Sequence, residues 1–175
     1  MIDRGNVRLV SRNGLSLNAK FPGIVEALKS LKVESAILDG ELVVIDEEGI
    51  PRFELVQRIQ QKPPGELIYF TFDLLYRNGE DLTGVALVRR REILSQLVPK
   101  EGPIRFSQAI EGRGTDLFRT AREHGLEGVI AKRKASTYMP GKRSDSWLKI
   151  KSRMQQEAVI GGITEGKDLE SFSER

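Results

Sequence analysis

Two long apolar stretches, Ala36 to Ile45 and Leu67 to Tyr76, are each interrupted by acidic residues. The first contains Leu38-Asp39-Gly40-Glu41-Leu42, and the second ends in Phe70-Thr71-Phe72-Asp73-Leu74-Leu75-Tyr76. Both are strand-like in length and composition. A carboxylate inside such a strand must be paired, face solvent or line a cleft, because burying an unpaired charge is costly. The fold must therefore give these strands one core face and one polar face. Residues two apart share a strand face, so Asp39 and Glu41 project together. Two carboxylates there suit a hard divalent cation or ribose hydroxyls, whereas Asp39-Gly40 read alone suits a turn or bulge. Phe72 is either a platform for a flat base or an ordinary core ring.

The same reasoning applies to Trp147-Leu148-Lys149-Ile150-Lys151, an alternating strand pattern. Lys149 and Lys151 fall on one face, where two ammonium groups repel unless an anion such as phosphate lies between them. A solvated strand face explains the alternation equally well. Glu127 directly precedes Gly128-Val129-Ile130-Ala131, read as a short buried strand, and Lys132 follows it. From Lys132 to Arg153 eight cations, among them Lys142 and Arg143, stand against one anion, Asp145. Such a segment suits a polyanionic partner or forms a solvated basic face. The net charge of +3 over 175 residues is too small to choose between them.

With no cysteine and one histidine, a disulfide framework, a thiolate metal site and a Ser-His triad are all disfavoured. No apolar run approaches the ~20 residues of a membrane helix, and the first residues carry no apolar signal core. These features fit a protein of a reducing compartment, neither secreted nor membrane-spanning.

Between the motifs the pattern predicts a strand over Asn6 to Ser11, helices over Pro22 to Leu31, Phe53 to Ile59, Leu87 to Val98 and Thr115 to His124, and a short strand over Ile104 to Ser107. Asp46 to Gly49 is expected to turn as a hairpin does, Lys62 to Gly65 to form a loop, and Lys134 to Ser146 a basic loop. Strands and helices mix without regular alternation, so the expected class is α+β with antiparallel sheets.

In chain order, Ser11-Arg12-Asn13-Gly14, Leu38-Asp39-Gly40-Glu41, Phe72-Asp73-Leu74-Leu75-Tyr76, Glu127-Gly128-Val129-Ile130-Ala131-Lys132 and Trp147-Leu148-Lys149-Ile150-Lys151 resemble the ordered motifs of covalent nucleotidyltransferases. The best match is the ATP-dependent DNA ligases. Gly79 to Gly84 and Tyr138 to Ser144 look most like the ligase domain of bacterial ligase D. The resemblance implies an antiparallel-sheet nucleotidyltransferase core acting on ATP with Mg²⁺ or Mn²⁺. It implies that Arg12 meets phosphate at the nick or nucleotide, Glu41 the ribose, and Phe72 the adenine. Glu127, with Asp39 as a further candidate, would hold the metal. Lys149 and Lys151 would contact the α-phosphate, assisted by Lys132, and Lys142 and Arg143 would grip DNA. Family members transfer AMP to an enzyme lysine, then to a 5′-phosphate, and seal when a 3′-hydroxyl displaces AMP. The expected partner is nicked or broken double-stranded DNA, within a protein fused to or working with other end-joining domains.

Two departures shape the expectation. The family nucleophile lies in a Lys-x-Asp-Gly motif upstream of Ser11, but the single Asp-Gly here, Asp39-Gly40, has Ile37 where the lysine belongs. A hydrocarbon cannot replace an amine nucleophile. The strand at Asn6 also reads as lacking an upstream partner. Residues 1–153 are thus expected to form a partial adenylation domain, and 154–175, through Gln155 to Gly162, the incomplete opening of an OB-fold. Truncation at both ends is the expectation, with the chain inactive alone. The competing readings are a non-catalytic DNA- or nucleotide-binding protein and a relative of RNA ligases or capping enzymes.

Overall fold

The computed structural model describes residues 1–59, 65–142 and 144–152. The two interrupted apolar stretches are its spine: β3 (Ser35–Ile45) and β5 (Glu66–Arg77) pair antiparallel along almost their whole length. Their register slips twice. Leu38 faces Leu74 and Ile37 faces Tyr76, then Asp39 faces Asp73 and Gly40 faces Thr71. Leu75 and Phe72 are therefore extra residues in β5, and such bulges bend a strand and re-aim the side chain they carry. Gly40 lies at the second slip because the Tyr69 ring crosses it. A Cβ there would sit 2.7 Å from Tyr69 Cε2 and 2.5 Å from the Phe70 carbonyl oxygen.

Around this pair, β1 (Ile2–Asp3) and β2 (Asn6–Val7) form a short hairpin whose turn residues Arg4 and Gly5 both take positive φ, as a tight hairpin turn requires. The hairpin joins the sheet through Ile2 opposite Ala36. This corrects the expectation that the strand at Asn6 has no upstream partner: Ile2–Asp3 pairs with it. The expected strand through Ser11 also ends early, at Val7, beyond which Val10 bridges only to Ser16. Pro51–Arg52 (β4) closes the Asp46–Gly49 turn against β3, and Glu80–Asp81 (β6) pairs with the end of β5.

One strand departs from the antiparallel expectation. β7 (Ile104–Phe106) runs parallel to β5 at Tyr69 to Thr71. The chain leaves β5, passes through α3 (Leu87–Leu97) and returns in the same direction, the crossover that parallel pairing demands. The remaining helices are α1 (Pro22–Lys29), α2 (Phe53–Gln57) and α4 (Gly114–Glu123). Ile24 and Leu28 of α1, Ala36 and Leu74 of the sheet, Leu94 of α3 and Ile104 of β7 are all essentially buried in one core.

β8 (Gly128–Lys132) and β9 (Trp147–Lys151) make a separate antiparallel ribbon. Opposite residues share a face, so its register puts Lys132, Trp147, Ile130, Lys149 and Lys151 on one side and Val129, Ala131, Leu148 and Ile150 on the other. The prediction of a buried strand at Gly128–Lys132 fails. Ile130 is 55% exposed and, on β9, Leu148 54% and Ile150 44%. Two strands with α4 packed against β8 cannot enclose both faces. The α+β class and the sheet-built core match the expectation. The proposed OB-fold start at 154–175, part of the Lys62-to-Gly65 loop and Arg143 lie outside the described residues. No helix among the described residues is long and apolar enough to cross a membrane.

Candidate active site

The bulge at Phe72 turns its ring toward the ribbon, where it meets Trp147 edge-to-face with centroids 6.1 Å apart. Tyr138 meets Trp147 in the same way, also at 6.1 Å. The Lys132 ammonium lies against both Phe72, 4.0 Å from the centroid, and Trp147, 3.6 Å from it. These aromatic residues come from β5, the basic loop and β9, widely separated in sequence.

The polar half adjoins it. Lys149 Nζ donates to Glu127 Oε1 at 2.7 Å, and this bond holds the Glu127 carboxyl below its usual range. Gly128, immediately after Glu127, has φ +145° and brings the ends of the two strands close. Glu41 lies within electrostatic reach of both Lys149 and Glu127; loss of hydration pushes its carboxyl up, with Lys149 opposing. Asp39 Oδ2 accepts from the Tyr138 hydroxyl at 3.0 Å. Burial raises the Asp39 carboxyl, and the tyrosine bond opposes that. Burial beside Asp39 also pushes the Tyr138 phenol up to about 12, so it remains a donor at neutral pH.

The sequence-predicted residues thus divide. Phe72, Lys132, Asp39, Glu41, Glu127 and Lys149 gather between the sheet and the ribbon. Lys151 shares the face of Lys149 and is exposed. Arg12 is exposed on the Ser11–Gly14 turn, with no hydrogen bond or ion pair to the others among the described residues. Lys142 is exposed on the basic loop. Asp39 is engaged by Tyr138 and Glu127 by Lys149, and no group of three metal-ligating side chains occurs among the described residues.

Sequence reasoning missed the support. Arg90 of α3 forks onto Asp73, Nε to Oδ1 at 2.7 Å and Nη2 to Oδ2 at 2.8 Å, with both side chains 0% exposed. Its Nη1 donates to the Ser136 carbonyl at 3.2 Å, and the guanidinium lies 5.9 Å from the Tyr138 ring centroid. Leu87 and Val88 N–H groups, otherwise unpaired at the start of α3, donate to Ser136 and Lys134 carbonyls. The loop carrying Tyr138 is therefore pinned to the helix. Arg91 fixes the bulge itself, donating to the Phe72 carbonyl at 2.9 Å. The run Arg89-Arg90-Arg91 carries no local mark of this role; the sequence signal for it is Asp73, a carboxylate inside an apolar strand.

Comparison with known proteins decides the family. A family description reading "ATP dependent DNA ligase domain" matches residues 1–151. The chain belongs to the ATP-dependent DNA ligase family. It is 44% identical over 169 residues to a multifunctional non-homologous end joining protein, LigD, of Pseudomonas aeruginosa, covering 95% of this chain and 20% of that protein. A prophage-derived DNA ligase-like protein, LigB, of Bacillus subtilis is 30% identical over 166 residues, 93% of this chain and 60% of that one. The solved ligase domain of M. tuberculosis LigD superposes with TM-score 0.72 at 38% identity, covering 85% of this chain and 49% of that one. A mycobacterial DNA ligase D solved with ATP and MES gives TM-score 0.71 at 37% identity, covering 86% of this chain and 49% of that one. The chain thus spans about a fifth of the LigD relative of P. aeruginosa and about half of these solved ligase chains.

Proposed function

We propose that this chain supplies the nucleotide-facing walls of a DNA ligase adenylation domain working in strand-break repair. The purine lies on Phe72, the ribose at Glu41, and the α-phosphate beside Lys149 and Lys151, which neutralise charge building on its oxygens. Arg12 meets phosphate of the nick or nucleotide, and Lys142 with Arg143 tracks the DNA backbone. Residues 1–153 supply this adenylation part. The observation that carries the reading is the meeting of Phe72 and Trp147 beside the Lys149–Glu127 pair: an aromatic surface next to a cation offers a base and a phosphate their separate partners.

The sequence supplies no Lys-x-Asp-Gly, so binding without lysyl-AMP formation is expected of the 175-residue chain. ATP is expected to bind reversibly, and more weakly to Phe72→Ala. After incubation with ATP and Mg²⁺ or Mn²⁺, intact-mass spectrometry is expected to find no gain of one AMP. An adduct would overturn the assignment of a missing nucleophile. Equal ATP affinity in Phe72→Ala would remove that ring from the site.

A DNA-binding role without chemistry rests on the same absence of the lysine motif together with the basic loop. Removing Lys142 and Arg143 together is expected to weaken duplex binding. It should also flatten the dependence of log K on log salt by about 2 units, roughly 0.9 per phosphate contact. An unchanged salt slope would place the DNA elsewhere. The RNA-ligase and capping alternatives gain nothing from the relatives named above, which are DNA ligases, a DNA ligase-like protein and an end-joining protein.

A further inference from the structure

Lys132 was expected to side with the phosphate lysines, and it does share their face of the ribbon. Its ammonium nevertheless lies elsewhere, between the Phe72 and Trp147 rings at 4.0 and 3.6 Å from their centroids. Ring faces attract a cation through their quadrupoles, and the attraction grows where water is scarce. A purine stacking on Phe72 from the ribbon side would need that same ring face. We infer that Lys132 is a built-in competitor at the base platform: its ammonium covers the Phe72 and Trp147 rings and must withdraw before a purine stacks there. This rests on the proposed nucleotide site and adds a competitor to it, so the lysine lowers base affinity rather than raising it. Withdrawal along the ribbon face carries the ammonium toward Lys149 and Lys151, the side assigned to phosphate.

The groups around the ammonium are Asp73 of β5 and Asp39 of β3, which favour its charge, and Arg90 and Arg91 of α3, which oppose it. Lys149 and Lys151 lie farther along the same ribbon face. Burial dominates and brings the Lys132 ammonium down to about 8. Above that pH the amine is neutral and the rings lose their cation.

Adenosine is the probe, because it has the base and ribose but no phosphate, so lost phosphate contacts cannot mask the competition. Trp147 is the sole tryptophan and packs on Phe72, so its emission follows binding. In the full chain, Lys132→Ala is expected to bind adenosine at least about fivefold more tightly, the order of one ring–ammonium contact. Lys132→Arg, which keeps a stacking cation, should bind no better than the parent. In the parent, adenosine affinity should rise from about pH 7 to about pH 9 and stay level in Lys132→Ala. Equal or weaker binding by Lys132→Ala, or a level pH profile in the parent, overturns the competitor role and leaves the nucleotide site standing. If neither chain binds adenosine or ATP, the nucleotide reading and this inference fall together. The parent's pH profile decides the matter even if the alanine variant does not fold.

Discussion

Replacing Arg90 with methionine is expected to lower the unfolding free energy by about 3–5 kcal/mol, the cost of leaving a buried charge without its partner. Asp73 and Arg90 are both wholly buried and joined by two hydrogen bonds. Methionine fills much of the volume but donates nothing, so Asp73 and the Ser136 carbonyl lose a donor together. For a domain whose whole stability is about 5–15 kcal/mol, this is a large fraction. Urea unfolding followed by far-ultraviolet circular dichroism reads it directly. A midpoint shift worth under about 1 kcal/mol would show that the pair is not the anchor described. Adding Asp73→Leu to Arg90→Met should recover part of the loss, because two apolar groups of similar volume leave no orphaned charge. The site should suffer even in the repaired double variant. Arg90 also holds the loop that brings Tyr138 to Asp39, and that hold is gone in both.

The second large effect is expected at Gly128. A Cβ there would lie 2.0 Å from the Ile150 carbonyl oxygen and 2.8 Å from Lys151 Cα, and φ is already +145°. The obstructing atoms are backbone, so relief requires the strand ends to part. Gly128→Ala is expected to cost on the order of 1–3 kcal/mol in backbone strain, with overpacking adding a similar amount. The local consequence is more telling. Parting the strands separates Glu127 from Lys149, and the hydrogen bond that holds the Glu127 carboxyl low disappears. In an NMR titration the parent's Glu127 should stay ionised to lower pH than an ordinary glutamate, whereas in Gly128→Ala it should titrate at the usual value. If Glu127 titrates alike in both chains, the glycine does not position the pair.

Much of this was legible because it follows from alternation and cost. Apolar runs broken by carboxylates marked β3 and β5, and paired lysines marked one face of β9. The motifs named Phe72, Glu41, Glu127 and Lys149 together; Lys149 pairs with Glu127, Glu41 lies within their electrostatic reach, and Phe72 packs on Trp147 of the same ribbon. What escaped depends on partners distant in sequence. Whether Arg90 is a solvated helix residue or a buried fork depends on Asp73, 17 positions away. The direction of β7 is set by a crossover, not by its three residues. The reach of Ile2–Asp3 to Ala36 could not be seen in so short a strand. The position of the Lys132 charge was out of reach for a subtler reason: strand register fixes the face a side chain leaves from, but a four-carbon stem lets its charge choose among several neighbours.

The ribbon of β8 and β9 shares no strand pairing with the larger sheet. It meets that sheet through side chains and through the pinned basic loop, and Leu148 and Ile150 remain half open to water. The two walls of the site therefore differ in local stability. Amide protons of β3 and β5 should report the global unfolding equilibrium, whereas those of β8 and β9 should exchange through cheaper, local opening. The lysines ride on the pliant wall and the base platform on the stiff one. A site built this way can yield on its phosphate side to admit or release a ligand while Phe72 stays in register.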